Sequence, residues 1–210
     1  MTQIIRAKPK SSGSKLVRRL GFGLGVLALL GLGLGITTML TKVWTSPQAS
    51  ISVGGPFSLI DENGHPITDR DFRGRWMLVY FGYTHCPDAC PTALSHIANA
   101  LDQLGPAAAA KIAPIFITVD PARDTPQVMR EYVAAFGPGI RGLSGSAAQI
   151  AAAETQYRVY AAKHPEKNGG YSMDHSSIVY VMNPDGEFVA SFTHETTVAA
   201  MVAKLRALGA

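Results

Sequence analysis

The sequence predicts an α/β domain, a mixed central sheet flanked by helices, carried behind a single N-terminal transmembrane helix. Three observations predict it. Two continuous apolar runs, 76–81 and 112–119, have the make-up of strands buried on both faces. Helix-period segments fall between and after them. An uncharged run of 22 residues, 20–41, lies between Arg19 and Lys42. Apolar residues make up 47% of the 210-residue chain, which excludes an extended disordered protein. Charged residues are only 16%, below the ~25% of soluble domains, which points to a part seated in lipid.

The elements follow in order. Residues 1–19 carry Arg6, Lys8, Lys10, Lys15, Arg18 and Arg19 and no acid. Such a cluster belongs on the cytoplasmic side of a membrane. As a helix, 20–41 spans ~33 Å, enough for a ~30 Å hydrocarbon core. It exceeds the ~7–15 residues of a signal-peptide core, and Gln48-Ala49-Ser50 is a poor cleavage site, so the run reads as an uncleaved anchor. No Cys follows it to carry lipid. Gly21/Gly25 and Gly31/Gly35 have G-x-x-x-G spacing, a helix-packing pattern compatible with a homodimer. The body then sits in the periplasm. The alternative is a mitochondrial inner-membrane protein facing the intermembrane space, because an acid-free leader with Arg, Lys and Ser also resembles a transit peptide.

Residues 42–56 are small, polar and turn-rich and read as a linker, leaving 57–210 as one domain. Residues 57–60 and 65–68 form a hairpin about Asn63-Gly64. The strand 76–81 leads into a helix over 91–104, with Leu94, Ile97, Ala98, Leu101 and Leu104 at helical spacing. Pro91 suits its first position. The strand 112–119 precedes helices over 126–136 and 146–157. Strands 178–182 and 187–192 are joined by Asn183-Pro184-Asp185-Gly186, and a helix over 196–208 closes the chain. The order β-β-β-α-β-α-α-β-β-α is a thioredoxin-like arrangement. The body after Lys42 carries 12 basic and 15 acidic residues, which excludes a nucleic-acid-binding domain.

Cys86 and Cys90 are the chain's two cysteines and stand at the junction of the first buried strand and its helix. A structural disulfide there would close a short loop and gain little. A functional dithiol fits better, because a helix N-terminus favours thiolate, which is both nucleophile and soft metal ligand. The spacing is Cys-x-x-x-Cys, one residue longer than the redox Cys-x-x-Cys. His175, in the loop entering the strand at Ile178, is the third candidate ligand. No proline occurs in 169–180, where a redox thioredoxin places one. His85, His96, His65, His164 and His194 are weaker candidates, and Met173 is a weak thioether candidate. Two sulfurs and an imidazole favour Cu(I) and accept Cu(II) or Zn(II). Structural zinc wants four protein ligands, so copper is preferred.

Tyr80–Pro91 (YFGYTHCPDACP), Ile117–Pro126 (ITVDPARDTP) and Asp174–Ser176 (DHS) occur in that order within 53–208. Together they resemble the Sco/SenC family of membrane-anchored copper-binding proteins. The resemblance implies a tethered thioredoxin-like domain that holds copper through Cys86, Cys90 and His175. It also implies a role in assembling the Cu-A centre of cytochrome c oxidase, with subunit II or another copper acceptor as partner. Asp88, Asp120, Arg123, Asp124 and Asp174 match as well. Asp88 and Asp174 are candidates for orienting the ligands. Asp88 equally suits a helix N-terminus, and Asp124 or Thr125 a cap for the helix that Pro126 opens. Two functions stand open. One is a metallochaperone that passes copper by ligand exchange and needs no catalytic turnover. The other is a thiol–disulfide oxidoreductase acting on the acceptor's cysteines.

Overall fold

The computed structural model describes residues 52–167 and 169–210. The basic segment 1–19, the apolar run 20–41 and the greater part of the linker lie outside them. Among the described residues no helix is long and apolar enough to cross a membrane.

The N-terminal hairpin pairs β1 (Ser58–Asp61) with β2 (Pro66–Thr68) about the expected turn. Asp61 Oδ1 accepts from the amides of Asn63 (2.9 Å) and His65 (2.8 Å), and Gly64 takes the positive φ of 84° that the turn requires. Then come β3 (Trp76–Gly82), α1 (Ala89–Leu104), the single turn α2 (Pro106–Ala109) and β4 (Ile112–Thr118). They are followed by α3 (Pro126–Ala134), β5 (Arg141–Ser144) and α4 (Ala147–Tyr157). The chain ends with β6 (Ala161–Pro165), β7 (Tyr171–His175), β8 (Val179–Met182), β9 (Phe188–Phe192) and α5 (Val198–Leu208).

Seven strands form one mixed sheet in the order β2-β1-β5-β4-β3-β8-β9. β3, β4 and β5 run parallel, and the remaining neighbours are antiparallel. The two apolar runs are thus the central strands, buried on both faces as their composition demands. Pro114 is tolerated inside β4 because β5 joins only from Ile115 onward, so the missing N–H breaks no rung on that edge. Alternation along β3 sorts the layers. Phe81 meets Tyr157 of α4 at 5.3 Å between ring centroids, while Gly82 opposes Cys90 of α1. The architecture is the expected thioredoxin-like mixed sheet between helices.

Three strands exceed the sequence reading. β5 (Arg-Gly-Leu-Ser) has one large apolar residue. Its Gly142 lets α3 approach so closely that an added Cβ would lie 3.1 Å from Val133 Cγ1. β6 and β7 are polar, half-exposed and paired only with each other, so they present no apolar run. His175 therefore closes a strand rather than sitting in a loop. Two boundaries also move. α1 starts at Ala89, two residues ahead of Pro91. Residues 52–56, read as the end of a linker, already lie against the body: Gly54 N–H donates to Gln156 O (2.9 Å) and Val53 packs on the core.

Candidate metal centre

β3 delivers the chain at Gly82, and the loop 83–88 turns it into α1. Cys86 stands in that loop, half-buried, and Cys90 in the first turn of α1, fully buried. Gly82 makes the room: a Cβ there would lie 2.6 Å from Cys90 Sγ and 2.8 Å from Phe116 Cε2. The loop is tied down by Asp124, whose buried carboxylate accepts from Thr84 N (3.0 Å), Thr84 Oγ1 (2.6 Å) and Thr118 Oγ1 (2.6 Å). The helix cap is Thr125, which accepts from Val128 N, so Asp124 is free for the loop.

His175 arrives at the end of β7, with Nε2 3.4 Å from Cys90 Sγ. The Sγ atoms of Cys86 and Cys90 and a ring nitrogen of His175 all lie within 4.8 Å of one another. No fourth His, Cys, Asp or Glu joins the group among the described residues. The imidazole stands edge-on between Tyr80 (6.0 Å) and Tyr83 (5.8 Å). Its Nδ1 lies 3.3 Å from the Ser176 carbonyl, an acceptor that holds the proton on Nδ1 and leaves the Nε2 lone pair available to a metal ion. Tyr80 Oη donates to Cys90 Sγ at 4.0 Å.

The two sulfurs are unequal. The Cys90 thiol donates to Cys86 Sγ; burial opposes this, and the amides of Asp88 and Cys90 add further donors. Cys86 is lowered to about 4 as a result. Cys90, holding that proton and buried, is pushed upward. The metal-free pair therefore holds one proton on the inner sulfur and a thiolate on the outer one. That gives one nucleophile poised for disulfide exchange, or two soft ligands once the inner proton leaves. With the imidazole they make a donor set of two sulfurs and one nitrogen, suited to a soft monovalent ion or to Cu(II).

The remaining candidates are placed elsewhere. Asp174 does not orient His175. Strand alternation turns it to the opposite face, where its carboxylate meets His164 Nε2 at 2.9 Å. Asp88 precedes α1 and accepts from Thr92 Oγ1 (3.4 Å) without capping the helix backbone. His85 bonds Thr84 Oγ1 (3.1 Å), and His65 faces Asp61 (3.8 Å). His96 and His194 line a cavity of about 310 Å³ that adjoins the centre through Tyr80 and reaches Phe192 and Met201. Met173 packs on the core. Gly82, Tyr80 and Tyr83 escaped the sequence reading as residues of the centre. The only signal was that all three fall inside the Tyr80–Pro91 motif.

A SCO1/SenC family model matches residues 45–210. Among curated relatives, a mitochondrial SCO1 homolog from Arabidopsis thaliana is 44% identical over 138 residues, covering 66% of this chain and 41% of its own. Sco1 from Schizosaccharomyces pombe is 43% identical over 148 residues, 69% of this chain and 56% of its own. This chain thus spans about half the length of those relatives. Among solved structures, Bradyrhizobium japonicum ScoI with copper bound is 47% identical with a TM-score of 0.69. The match covers 74% of this chain and 99% of that one. Yeast Sco1 with copper bound is 37% identical with a TM-score of 0.69, over 74% and 87% of the two chains. By motif, fold and family match, this chain is a member of the SCO1/SenC family.

Proposed function

We propose that this chain is a copper metallochaperone for assembly of the Cu-A centre of cytochrome c oxidase, with Cys86, Cys90 and His175 as its copper ligands. The observation that carries the reading is the convergence of two sulfurs and one imidazole nitrogen within 4.8 Å, with no fourth His, Cys, Asp or Glu in the group among the described residues. Relatives solved with copper bound support the choice of metal. Three ligands leave room for a Cys or His of the acceptor, oxidase subunit II or another copper-accepting protein. Copper then passes by stepwise ligand exchange and is never released as a free ion. Run 20–41 anchors the protein in the inner membrane by a single span, residues 1–19 stay on the cytoplasmic or matrix side, and 42–56 tethers the copper domain across the membrane. Mitochondrial relatives favour the intermembrane-space setting.

A second reading draws on the unequal thiols: a Cys86 lowered to about 4 beside a protonated Cys90 is also the pair a thiol–disulfide oxidoreductase uses. His175→Ala separates the two, because it removes the imidazole and leaves both thiols. The chaperone reading expects Cu(II) affinity to fall about 10- to 100-fold, oxidase activity in cells to fail, and added copper to restore part of it. Normal oxidase activity at normal expression would defeat it. Cys86→Ser or Cys90→Ser abolishes tight Cu(I) binding, since a hydroxyl is a hard, weak donor.

A further inference from the structure

β6 and β7 pair with each other and with no strand of the main sheet, so no ladder of the body fixes His175 in place. Side chains do that work. The two-residue period of β7 puts Tyr171, Met173 and His175 on one face. His175 is gripped by Tyr80 and Tyr83. Tyr171 lies on Arg123, whose Cζ is 3.7 Å from its ring centroid and 5.7 Å from that of Tyr83.

We propose that Arg123 is a positioning residue for His175, bracketing the β6–β7 hairpin against the loop that carries the cysteines. This rests on the reading of Cys86, Cys90 and His175 as the copper ligands. Four contacts converge on it. Arg123 Nη1 donates to the Tyr171 carbonyl (3.0 Å), and its Nε is ion-paired with Asp120. The Tyr171 hydroxyl donates to the other Asp120 oxygen (2.9 Å), which closes a ring of three side chains. Asp120 is in turn fixed by its own N–H to Thr118 Oγ1 (2.9 Å), at the end of central strand β4. An exposed ion pair contributes little and holds nothing in place. Here the acid is buried, at 4% exposure, and the guanidinium spends its planar fork on a carbonyl and two aromatic faces. Arg123 is not one of the three candidate ligands. It sets where the third one stands.

A displaced imidazole matters most to Cu(II), because two thiolates already suit Cu(I). The test uses the full-length chain in detergent with two variants. Arg123→Lys keeps a cation beside buried Asp120 but loses the fork and the stacking. Tyr171→Leu keeps the Asp120–Arg123 pair and the Arg123 bond to the residue-171 carbonyl, and removes the ring stacking and the hydroxyl bond to Asp120; it decides the matter if the first variant does not fold. In copper-free protein, amides of β6 and β7 should exchange about tenfold faster in both variants, with β3 and β4 unchanged. The Cu(II) dissociation constant should rise about tenfold while that for Cu(I) stays within about threefold. Unchanged hairpin exchange in both variants overturns the bracket, as does equal weakening of both oxidation states. A parent chain that takes up no copper overturns the ligand assignment instead, and the exchange measurement still decides the bracket.

Discussion

Gly82 is where one added carbon would disturb the centre most directly. A methyl there meets Cys90 Sγ and Phe116 at 2.6 and 2.8 Å, inside van der Waals contact. Both neighbours are fully buried, with no free volume into which to move. Gly82→Ala should cost about 1–3 kcal/mol of stability by overpacking and should weaken copper binding by displacing the inner sulfur. Urea unfolding and a copper titration check both. An alanine variant as stable as the parent would show that the sulfur has slack. The residues of the centre were unevenly legible in the sequence. Cysteine is a rare residue type at a strand-to-helix junction, and His175 stood where a proline was missing. Gly82, Tyr80 and Tyr83 looked like ordinary parts of an aromatic run. Their roles, making room for a sulfur and clasping an imidazole, exist only once β7 is laid against β3. Asp174 misled because adjacency in sequence means opposite faces in a strand.

At the scale of elements, what periodicity revealed was what carried its own hydrophobic signal. β3 and β4 read as central strands and proved central. β5 was silent because its neighbours supply the apolar surface: Gly142 lends its space to Val133 and Met129 of α3. β5 also depends on charge. Arg141 bonds Asp61 Oδ2 (2.9 Å) and Glu62 Oε1 (2.9 Å), joining β5 to the end of β1. Burial pushes the Asp61 carboxyl up, but the amides of His65 and Asn63 and the Arg141 cation outweigh it, and the group ends below its ordinary value. A carboxylate depressed by folding stabilises the fold above its unfolded pKa, ~3.9, and that contribution fades as pH falls toward and through the folded value. Asp61→Asn should cost about 2 kcal/mol at neutral pH, from lost charge-assisted hydrogen bonds. The gap between parent and variant should narrow at pH values below ~4. Denaturant midpoints measured for both proteins at neutral and acid pH check this. A gap that is constant across the range would mean that the carboxylate's charge does not contribute.

For the whole molecule, charge and hydropathy divide the chain more sharply than any structural boundary. The six cations of 1–19 face a body with 12 basic and 15 acidic residues, and a 22-residue uncharged run separates them. Positive flanks stay on the cytoplasmic side because moving them across the bilayer is costly, so the body is expected on the opposite side. The centre itself supplies the probe of this topology. Cys86 and Cys90 are the only cysteines in the chain, Cys90 is fully buried, and Cys86 is half-exposed and thiolate-prone. A membrane-impermeant maleimide should therefore report on Cys86 alone. Added under reducing conditions to intact spheroplasts, or to mitoplasts for a mitochondrial protein, it should label the parent chain without detergent. Cys86→Ser should abolish the labelling. The labelled chain should also stay with the membrane through alkaline extraction, because 20–41 is long enough to span the hydrocarbon core. Labelling that appears only after permeabilisation would place the proposed ligands Cys86, Cys90 and His175 on the wrong side of the membrane for the proposed acceptor. Release by alkali would remove the anchor from the picture and leave the body a peripheral or free carrier.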